Sequence, residues 1–321
     1  MRGKHTVTVT SPKLQYKLEL ERNITIIRGD SGTGKTTLMG MLQDHERLGK
    51  QSGVTVSCDK ECRVLDDVDW ESRLSRCRDS IVFIDEGNRF VSSRDFAAAI
   101  QATDNYYVII TRESLYQLPY SVEAVLELRK TTSRKRRTYN KTYPYYKYLE
   151  AAPEKLGEAD CVLTEDSNSG FEMFSHIAGM YGTACESAQS KSNIYGVLDN
   201  NRDRRTLVVA DGAAFGAEMD KVSLFKSQHK DNVILYLPES FEWLILKSGI
   251  IRSDKLKELL ANPADFIDSE SYISWEQYFT ELLIRLSQEH DYMHYSKHRL
   301  NPFYLQDENV QKIISAMQTE D

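Results

Sequence analysis

A glycine-rich segment near the start of the chain has the residue types and spacing of a phosphate-binding loop. Residues 29–37 read GDSGTGKTT, which matches G-x-x-x-x-G-K-[ST]. Glycines let successive backbone N–H groups turn towards a phosphate, a lysine adds a compact positive charge, and a threonine hydroxyl is a ligand for Mg²⁺. We therefore expect this segment to bind ATP and Mg²⁺ through Gly29, Asp30, Ser31, Gly32, Thr33, Gly34, Lys35, Thr36 and Thr37.

A second segment carries acidic residues suited to hydrolysis. Residues 80–87 read SIVFIDEG, an apolar run that ends at Asp85 and Glu86. A carboxylate at the end of a buried strand can hold Mg²⁺, and the next carboxylate can polarise an attacking water. The pattern predicts Thr36 and Asp85 as metal ligands, with Glu86 and Lys35 as catalytic residues. The alternative is a strand followed by a solvated acidic turn.

Strand and helix patterns alternate around these residues. An apolar run, NITIIRG, precedes the loop, and a helix is predicted from about residue 36 to 45. The second half repeats this style, with strands predicted at DCVLTED, SNIYGVL, TLVVAD and NVILYLP, and a helical pattern after Arg252. The alternation predicts an α/β fold with a parallel sheet and a helical C-terminal segment.

The first half resembles the ABC-type ATPase core. A hairpin, then NITIIRGDSGTGKTTL, SIVFIDEG and VIITRE carry the resemblance. It implies that Glu86 is the catalytic base and that Arg112 contacts the nucleotide at a position where the family usually has histidine. No L-S-G-G-Q signature lies between the loop and Asp85. That departure predicts slow hydrolysis or a nucleotide-dependent switch, and we still expect an oligomer.

The second half resembles the TOPRIM fold of primases, topoisomerases and nucleases. CVLTEDSNSGFEMF (161–174) and LVVADGAAFG (207–216) carry this resemblance. It implies that Glu165 and Asp211 bind Mg²⁺ for phosphodiester chemistry. Ala213 stands where the family has a second aspartate, and Asp166, Glu172 or Glu218 are the candidates to replace it. A degenerate recognition domain, or an unrelated domain in which Asp211 merely ends a strand, is the alternative.

Charge is distributed unevenly along the chain. Residues 1–150 contain 25 Lys and Arg against 20 Asp and Glu, whereas residues 151–321 contain 16 against 28. Residues 129–148 hold eight basic residues, five tyrosines and no acid, which suits phosphates and unpaired bases. The alternative is a solvated basic linker or a hairpin that docks on the acidic half. We expect an ATPase domain at 1–128, a basic connector at 129–157, a TOPRIM-like domain at 158–252 and a helical segment at 253–321.

The two resemblances together imply a function that couples nucleotide state to nucleic acid. An ATPase followed by a TOPRIM domain is similar to nucleases of the overcoming-lysogenization-defect type and to related phage-defence or mobile-element proteins. This implies nucleic-acid recognition or cleavage. The competing prediction is a nucleotide-gated interaction protein without nuclease activity, whose C-terminal domain binds a protein partner.

Other sequence features bear on location and on further metals. No apolar run is long enough to span a bilayer and the N-terminus has no apolar signal core, so we expect a cytoplasmic protein without membrane contact. Cys58, Cys62 and Cys77 could bind zinc, but no fourth ligand has suitable spacing. A second candidate metal group comprises His290, His294 and His298, for which the end of a solvated helix is the simpler explanation.

Overall fold

The computed structural model describes residues 1–101, 103–132, 138–147, 157–288 and 291–318. The chain divides into two compact units, Met1–Lys147 with Asn262–Ser274, and Tyr148–Ala261 with Trp275–Asp321. Each unit contains a β-sheet with helices, so the α/β class is confirmed. Residues 262–274 were expected within the C-terminal helical segment but join the first unit, where Gly3 N–H donates to the Ala264 carbonyl and Asn23 Nδ2 donates to the Ile273 carbonyl.

A sheet of nine strands, counted over the described ranges, lies in the first unit. The strands are β1 (His5–Thr10), β2 (Leu14–Leu20), β3 (Ile24–Arg28), β4 (Thr55–Ser57), β5 (Glu61–Leu65), β6 (Ser80–Ile84), β7 (Tyr106–Ile110), β8 (Val125–Thr132) and β9 (Thr138–Pro144). Their spatial order is β4-β1-β2-β9-β8-β3-β7-β6-β5. Strands β8, β3, β7, β6 and β5 run parallel, whereas β1 pairs antiparallel with β2 and β4, and β8 with β9.

The helices of the first unit are α1 (Lys35–Leu48), α2 (Trp70–Leu74) and α3 (Arg94–Gln101). Every residue of β3, β6 and β7 is buried, as their unbroken apolar patterns predict. Helix α1 follows β3 through residues 29–34 and contributes Leu38, Met39, Met41 and Leu42 to the core. Because β3, β6 and β7 are parallel, the residues that follow them lie at one edge of the sheet.

The described part of the predicted basic connector lies in this sheet. Residues 129–132 end β8 and residues 138–144 form β9, and the two strands pair from Leu126↔Pro144 to Thr132↔Thr138. Strand β9 also pairs with β2. The structure therefore differs from a free linker, because backbone hydrogen bonds tie this hairpin to the first unit. Residues 133–137 and 148–156 lie outside the described ranges.

The second unit contains a parallel sheet of four strands within its described part. The strands are β10 (Cys161–Thr164), β11 (Ala184–Ser187), β12 (Thr206–Val209) and β13 (Val233–Tyr236). Their spatial order is β11-β10-β12-β13. Its helices are α4 (Ser169–Met180), α5 (Ile194–Asn200), α6 (Met219–Gln228), α7 (Phe241–Lys247), α8 (Leu256–Ala261), α9 (Trp275–Ser287) and α10 (Asp307–Gln318).

One predicted strand of the second unit is wrong. SNIYGVL was expected to be extended, but residues 194–200 form α5, with Ile194 and Leu198 buried on one face at helical spacing. The strand at that point in the chain is instead β11, whose alternating half-buried and exposed residues lacked an apolar run.

None of the helices within the described ranges combines the length and apolar character needed to span a bilayer.

Candidate functional site

The glycine-rich segment forms the turn between β3 and α1. Gly34 directly precedes α1 with a φ of 99°, in the left-handed region that favours glycine. A Cβ atom on Gly34 would lie 2.8 Å from the hydroxyl of Tyr16, which itself donates a hydrogen bond to the Gly34 carbonyl at 3.0 Å. Both the backbone conformation and this close approach therefore require glycine, and they set the angle at which the turn enters α1.

Lys35 folds back onto the turn. Its ammonium donates to the Gly29 carbonyl at 2.5 Å, to the Asp30 carbonyl at 2.9 Å and to Thr33 Oγ1 at 3.2 Å. Burial lowers the pKa of Lys35, and the nearby carboxylate of Glu86 opposes that shift. The contacts place a cation, held by neutral oxygens, at the N-terminus of a helix of 14 residues, which is an environment suited to an anion.

Arg112 and Glu86 meet beside the same turn. Glu86 follows β6 and Arg112 follows β7, two adjacent parallel strands. Arg112 Nε lies 2.9 Å from Glu86 Oε1, and Arg112 Nη2 donates to Ser31 Oγ at 3.1 Å. The structure thus links the predicted base to the predicted nucleotide contact by an ion pair, and that contact to the loop by a hydrogen bond.

Of the predicted metal ligands of the first unit, Asp85 follows the C-terminal end of β6 and Thr36 lies at the N-terminal end of α1. Asp85 directly follows β6, and one of its oxygens accepts the Glu86 N–H at 2.8 Å. Burial raises the pKa of Asp85; the hydrogen bond from the Glu86 N–H opposes this shift, and the negative charge of the Glu86 carboxylate adds to it. Thr36 is exposed in the first turn of α1. Hydroxyl and carboxylate oxygens are hard ligands, so each of these residues is chemically suited to Mg²⁺, which keeps several waters and binds few protein groups.

Two residues at the turn were not predicted individually. The Lys130 ammonium, on β8, donates to the Gly32 carbonyl at 2.7 Å, and Tyr16, on β2, reaches Gly34. The basic stretch that contains Lys130 was visible in the sequence, but its proximity to the turn follows from the β3–β8 pairing. Tyr16 had no sequence signal, since an alternating strand pattern does not reveal what its buried face contacts.

The second unit brings Glu165 and Asp211, the two predicted metal ligands, into contact. Glu165 follows β10, Asp211 comes two residues after the end of β12, and these strands are parallel neighbours. The Asp211 N–H donates to Glu165 Oε2 at 3.1 Å, and Asp211 Oδ1 accepts the Phe241 N–H at 3.1 Å. Both side chains line a pocket at this edge of the sheet.

Sequence reasoning missed Glu242 and Lys297, which line this pocket, and Glu276, which contacts Lys297. Glu242, on α7, is 1% exposed; its Oε1 accepts the Tyr295 hydroxyl at 2.8 Å, and its Oε2 has no hydrogen-bond partner among the described residues. Lys297 Nζ donates to Glu276 Oε1 at 2.6 Å. These residues come from α7, α9 and the segment before α10, so no local spacing relates them to Glu165 or Asp211.

The carboxylates of this pocket perturb one another. Burial raises the pKa of Glu165 to about 7, and Glu276 adds to the shift. Burial also raises the pKa of Asp211 well above its usual value, with further contributions from Glu276, Glu165 and Glu242. These carboxyls therefore tend to keep their protons towards neutral pH, and a bound cation would favour their ionised forms.

Ala213, which stands where the second aspartate was expected, is buried. It is 2% exposed, and its N–H donates to the Glu239 carbonyl at 3.1 Å. A Cβ on the preceding Gly212 would lie 2.5 Å from the Leu237 carbonyl oxygen, so the turn is packed directly against the end of β13. An acid at 213 would be buried without an evident partner.

The residues considered as replacements for that aspartate have other contacts. Asp166 accepts from Asn168, and Glu172 Oε2 accepts the Leu300 N–H at 2.9 Å. Glu218 is buried, and this raises its pKa. Asp166 and Glu242 line the pocket together with Glu165 and Asp211.

Compact metal-binding groups of three or more His, Cys, Asp or Glu are absent from the described ranges. Cys58, Cys62 and Cys77 are free thiols and form no such group. His290, from the predicted histidine group, lies outside the described residues. A cation at Glu165 and Asp211 would thus have two carboxylate ligands and water, a ligand set that Mg²⁺ accepts.

One face of the first sheet, here called the basic face, carries three aligned cations. The register aligns Lys17 with Lys141 and Lys141 with Arg129 across β2, β9 and β8. Like charges directly opposite one another destabilise a sheet. Glu19 and Glu127 pair with the outer two cations, whereas exposed Lys141 lies between them.

Comparison of the sequence and structure with known proteins identifies no relative. No family model matches the sequence, and neither a curated protein nor a solved structure is similar to it. The chemistry of the two sites is therefore the basis for inferring function.

Proposed function

We propose that the first unit binds ATP with Mg²⁺ and hydrolyses it slowly. The observation that carries the proposal is the convergence of Lys35 and Arg112 on the turn before α1, with Glu86 bound to Arg112. A triphosphate would replace neutral carbonyl partners of Lys35 with charged oxygens, and hydrogen bonds between charged groups are roughly twice as strong.

Each residue has a distinct role in this proposal. Lys35 offsets phosphate charge, and backbone N–H groups of the turn add donors. Thr36 and Asp85 would hold Mg²⁺, which supplies charge neutralisation at the phosphates. Glu86 accepts a proton from the attacking water. Its ion pair with Arg112 occupies one carboxylate oxygen, which is consistent with slow hydrolysis.

Calorimetry and phosphate release test this assignment with two variants. Lys35→Ala should lose ATP binding, because its ammonium is the cation closest to the turn's carbonyls. Glu86→Gln should retain binding and lose hydrolysis, since the amide cannot accept the proton. An unchanged ATP affinity in Lys35→Ala would refute nucleotide binding at this turn. Unchanged turnover in Glu86→Gln would refute the base.

A second candidate function is favoured by the acidic pocket of the second unit. We propose that Glu165 and Asp211 bind a divalent cation together with water molecules, with the buried carboxyl of Glu242 lining the same pocket. The unpartnered oxygen of Glu242 supports a cation near this position, because a buried polar oxygen without a partner is costly. Together with the TOPRIM resemblance, this supports Mg²⁺-dependent recognition or cleavage of nucleic acid.

Thermal unfolding and cleavage assays separate the alternatives for this pocket. Without nucleotide, Mg²⁺ should raise the Tm of the wild type relative to chelator, and Asp211→Asn should reduce that rise. Mg²⁺-dependent cleavage of a mixed DNA and RNA pool that is lost in Asp211→Asn would favour a nuclease. Identical Mg²⁺ responses in both proteins would mean that Asp211 binds no metal.

The partner class follows from the basic face. Lys17, Lys141 and Arg129 form a row of cations suited to phosphates, and Tyr139 and Tyr143 alternate with Lys141 along β9. We propose nucleic acid as the partner, in a nucleotide-controlled assembly of the phage-defence or mobile-element class. A protein partner recognised by the second unit is the alternative, and it predicts no salt-dependent binding to nucleic acid.

A further inference from the structure

Three side chains form a row beneath the turn before α1. Tyr16 on β2 is aligned with Asn140 on β9, and Asn140 is aligned with Lys130 on β8. Aligned residues of neighbouring strands point to the same face of a sheet. This face also carries Leu18 and Leu128, which belong to the core beneath α1. The row therefore lies on the side of the sheet that faces the turn and α1.

Both ends of the row hold carbonyls of the turn. The Tyr16 hydroxyl donates to Gly34 at 3.0 Å, and the Lys130 ammonium donates to Gly32 at 2.7 Å. Together with Lys35, this makes two ammonium groups that are bound to carbonyls of one turn. Each is paired with a neutral acceptor, and a phosphate oxygen would be a stronger one.

The residue in the middle of the row lacks side-chain hydrogen bonds to the described residues. Asn140 is 1% exposed, and neither its Nδ2 nor its Oδ1 has a hydrogen-bond partner within the described ranges. Buried side-chain amides are nearly always hydrogen-bonded, because an unpaired one loses water without compensation. Two unpaired atoms directly beside a phosphate-binding turn suggest a second arrangement of the turn in which they are paired.

We infer that the nucleotide site extends onto hairpin β8–β9, with Lys130 as a second ammonium for the phosphates and Asn140 as a positioning residue. The inference rests on the proposed ATP binding by the first unit. When a nucleoside triphosphate binds, Lys130 exchanges the Gly32 carbonyl for a phosphate oxygen. Asn140 then hydrogen-bonds the rearranged turn and stabilises the bound arrangement. Tyr16 keeps the start of α1 in place.

Calorimetry with a non-hydrolysable ATP analogue and Mg²⁺ tests the role of Lys130. Lys130→Met should weaken binding about tenfold, as expected for loss of one charge-assisted hydrogen bond. The matched control is Lys50→Met, which removes an exposed lysine of the same unit beyond the C-terminal end of α1. Its affinity should remain within about twofold of wild type, since distant surface charges are screened.

Asn140→Leu gives a readout that a merely structural role would not produce. Removing an unpaired buried amide should raise the Tm of the free protein. If Asn140 stabilises the bound turn, the additional Tm increase caused by the analogue should shrink relative to wild type. A purely structural Asn140 would change the Tm of the free protein and leave the analogue-induced increase intact.

The outcomes distinguish this inference from the function on which it rests. Wild-type affinity in Lys130→Met, or equal losses in Lys130→Met and Lys50→Met, would overturn the role of Lys130 while ATP binding stands. An unchanged analogue-induced Tm increase in Asn140→Leu would overturn the role of Asn140. Failure of the wild type to bind the analogue would refute both the inference and ATP binding.

Discussion

Glu165→Gln should change how the stability of the second unit depends on pH. In the folded protein, burial raises the pKa of Glu165 from 4.5 to about 7, with Glu276 adding to the shift. A carboxyl with a raised folded-state pKa binds its proton more tightly when folded. The stabilisation that this proton gives to the folded state is therefore fully present below pH 4.5 and is lost as pH rises through about 7.

The magnitude follows from the size of the shift. Each pKa unit corresponds to about 1.4 kcal/mol, so ionisation of Glu165 should cost the folded state about 3 kcal/mol by pH 8. Glutamine does not ionise, so Glu165→Gln should gain about 3 kcal/mol relative to wild type between pH 4.5 and pH 8. Asp211, whose pKa is raised well above its usual value by burial, remains in both proteins.

Urea unfolding with chelator present, followed by tryptophan fluorescence at several pH values, measures this difference. Trp243 and Trp275 belong to the second unit and Trp70 to the first, so a Trp70→Phe background makes the signal report on the second unit. Exposed Glu258 in the same unit provides the control variant Glu258→Gln. The difference in unfolding free energy between this variant and the wild type should stay constant from about pH 4.5 to pH 8. A constant difference for Glu165→Gln would refute the argument that this carboxyl is buried at a cost.

Three further variants should have specific effects. Gly34→Ala should abolish ATP binding in calorimetry and lower stability by about 1–3 kcal/mol, because a side chain there meets the Tyr16 hydroxyl and requires a left-handed backbone; normal binding would contradict the geometry of the turn. Ala213→Asp should lower the free energy of unfolding by at least about 2 kcal/mol without Mg²⁺, because position 213 is buried, and an unchanged Tm would show that the turn opens. Replacing Lys141 and Arg129 together with Ser should reduce the log–log salt dependence of nucleic-acid binding by about 0.7–0.9 per lost phosphate contact, whereas an equal slope would exclude this face.

Local patterns in the sequence determined the secondary structure around the two sites. The apolar run of β3, the glycines after it and the helical spacing that follows are short-range features, so they predicted the turn before α1 without any tertiary contact. Asp85, Glu165 and Asp211 were found for the same reason, since each lies within two residues of the end of a buried strand. SNIYGVL failed because a short apolar segment fits either period, and only packing of Ile194 and Leu198 selected the helix.

Only tertiary structure decided which distant residues complete each site. Lys130 lies 98 positions from Gly32 along the chain, and the pairing of β8 with β3 brings them within 2.7 Å. Glu242, Glu276 and Lys297 likewise join Asp211 because separate segments converge at one sheet edge. The polarity of a residue is encoded locally, but its neighbours depend on strand order and register. The sequence therefore determined the catalytic candidates, and the fold determined the groups that tune their charge.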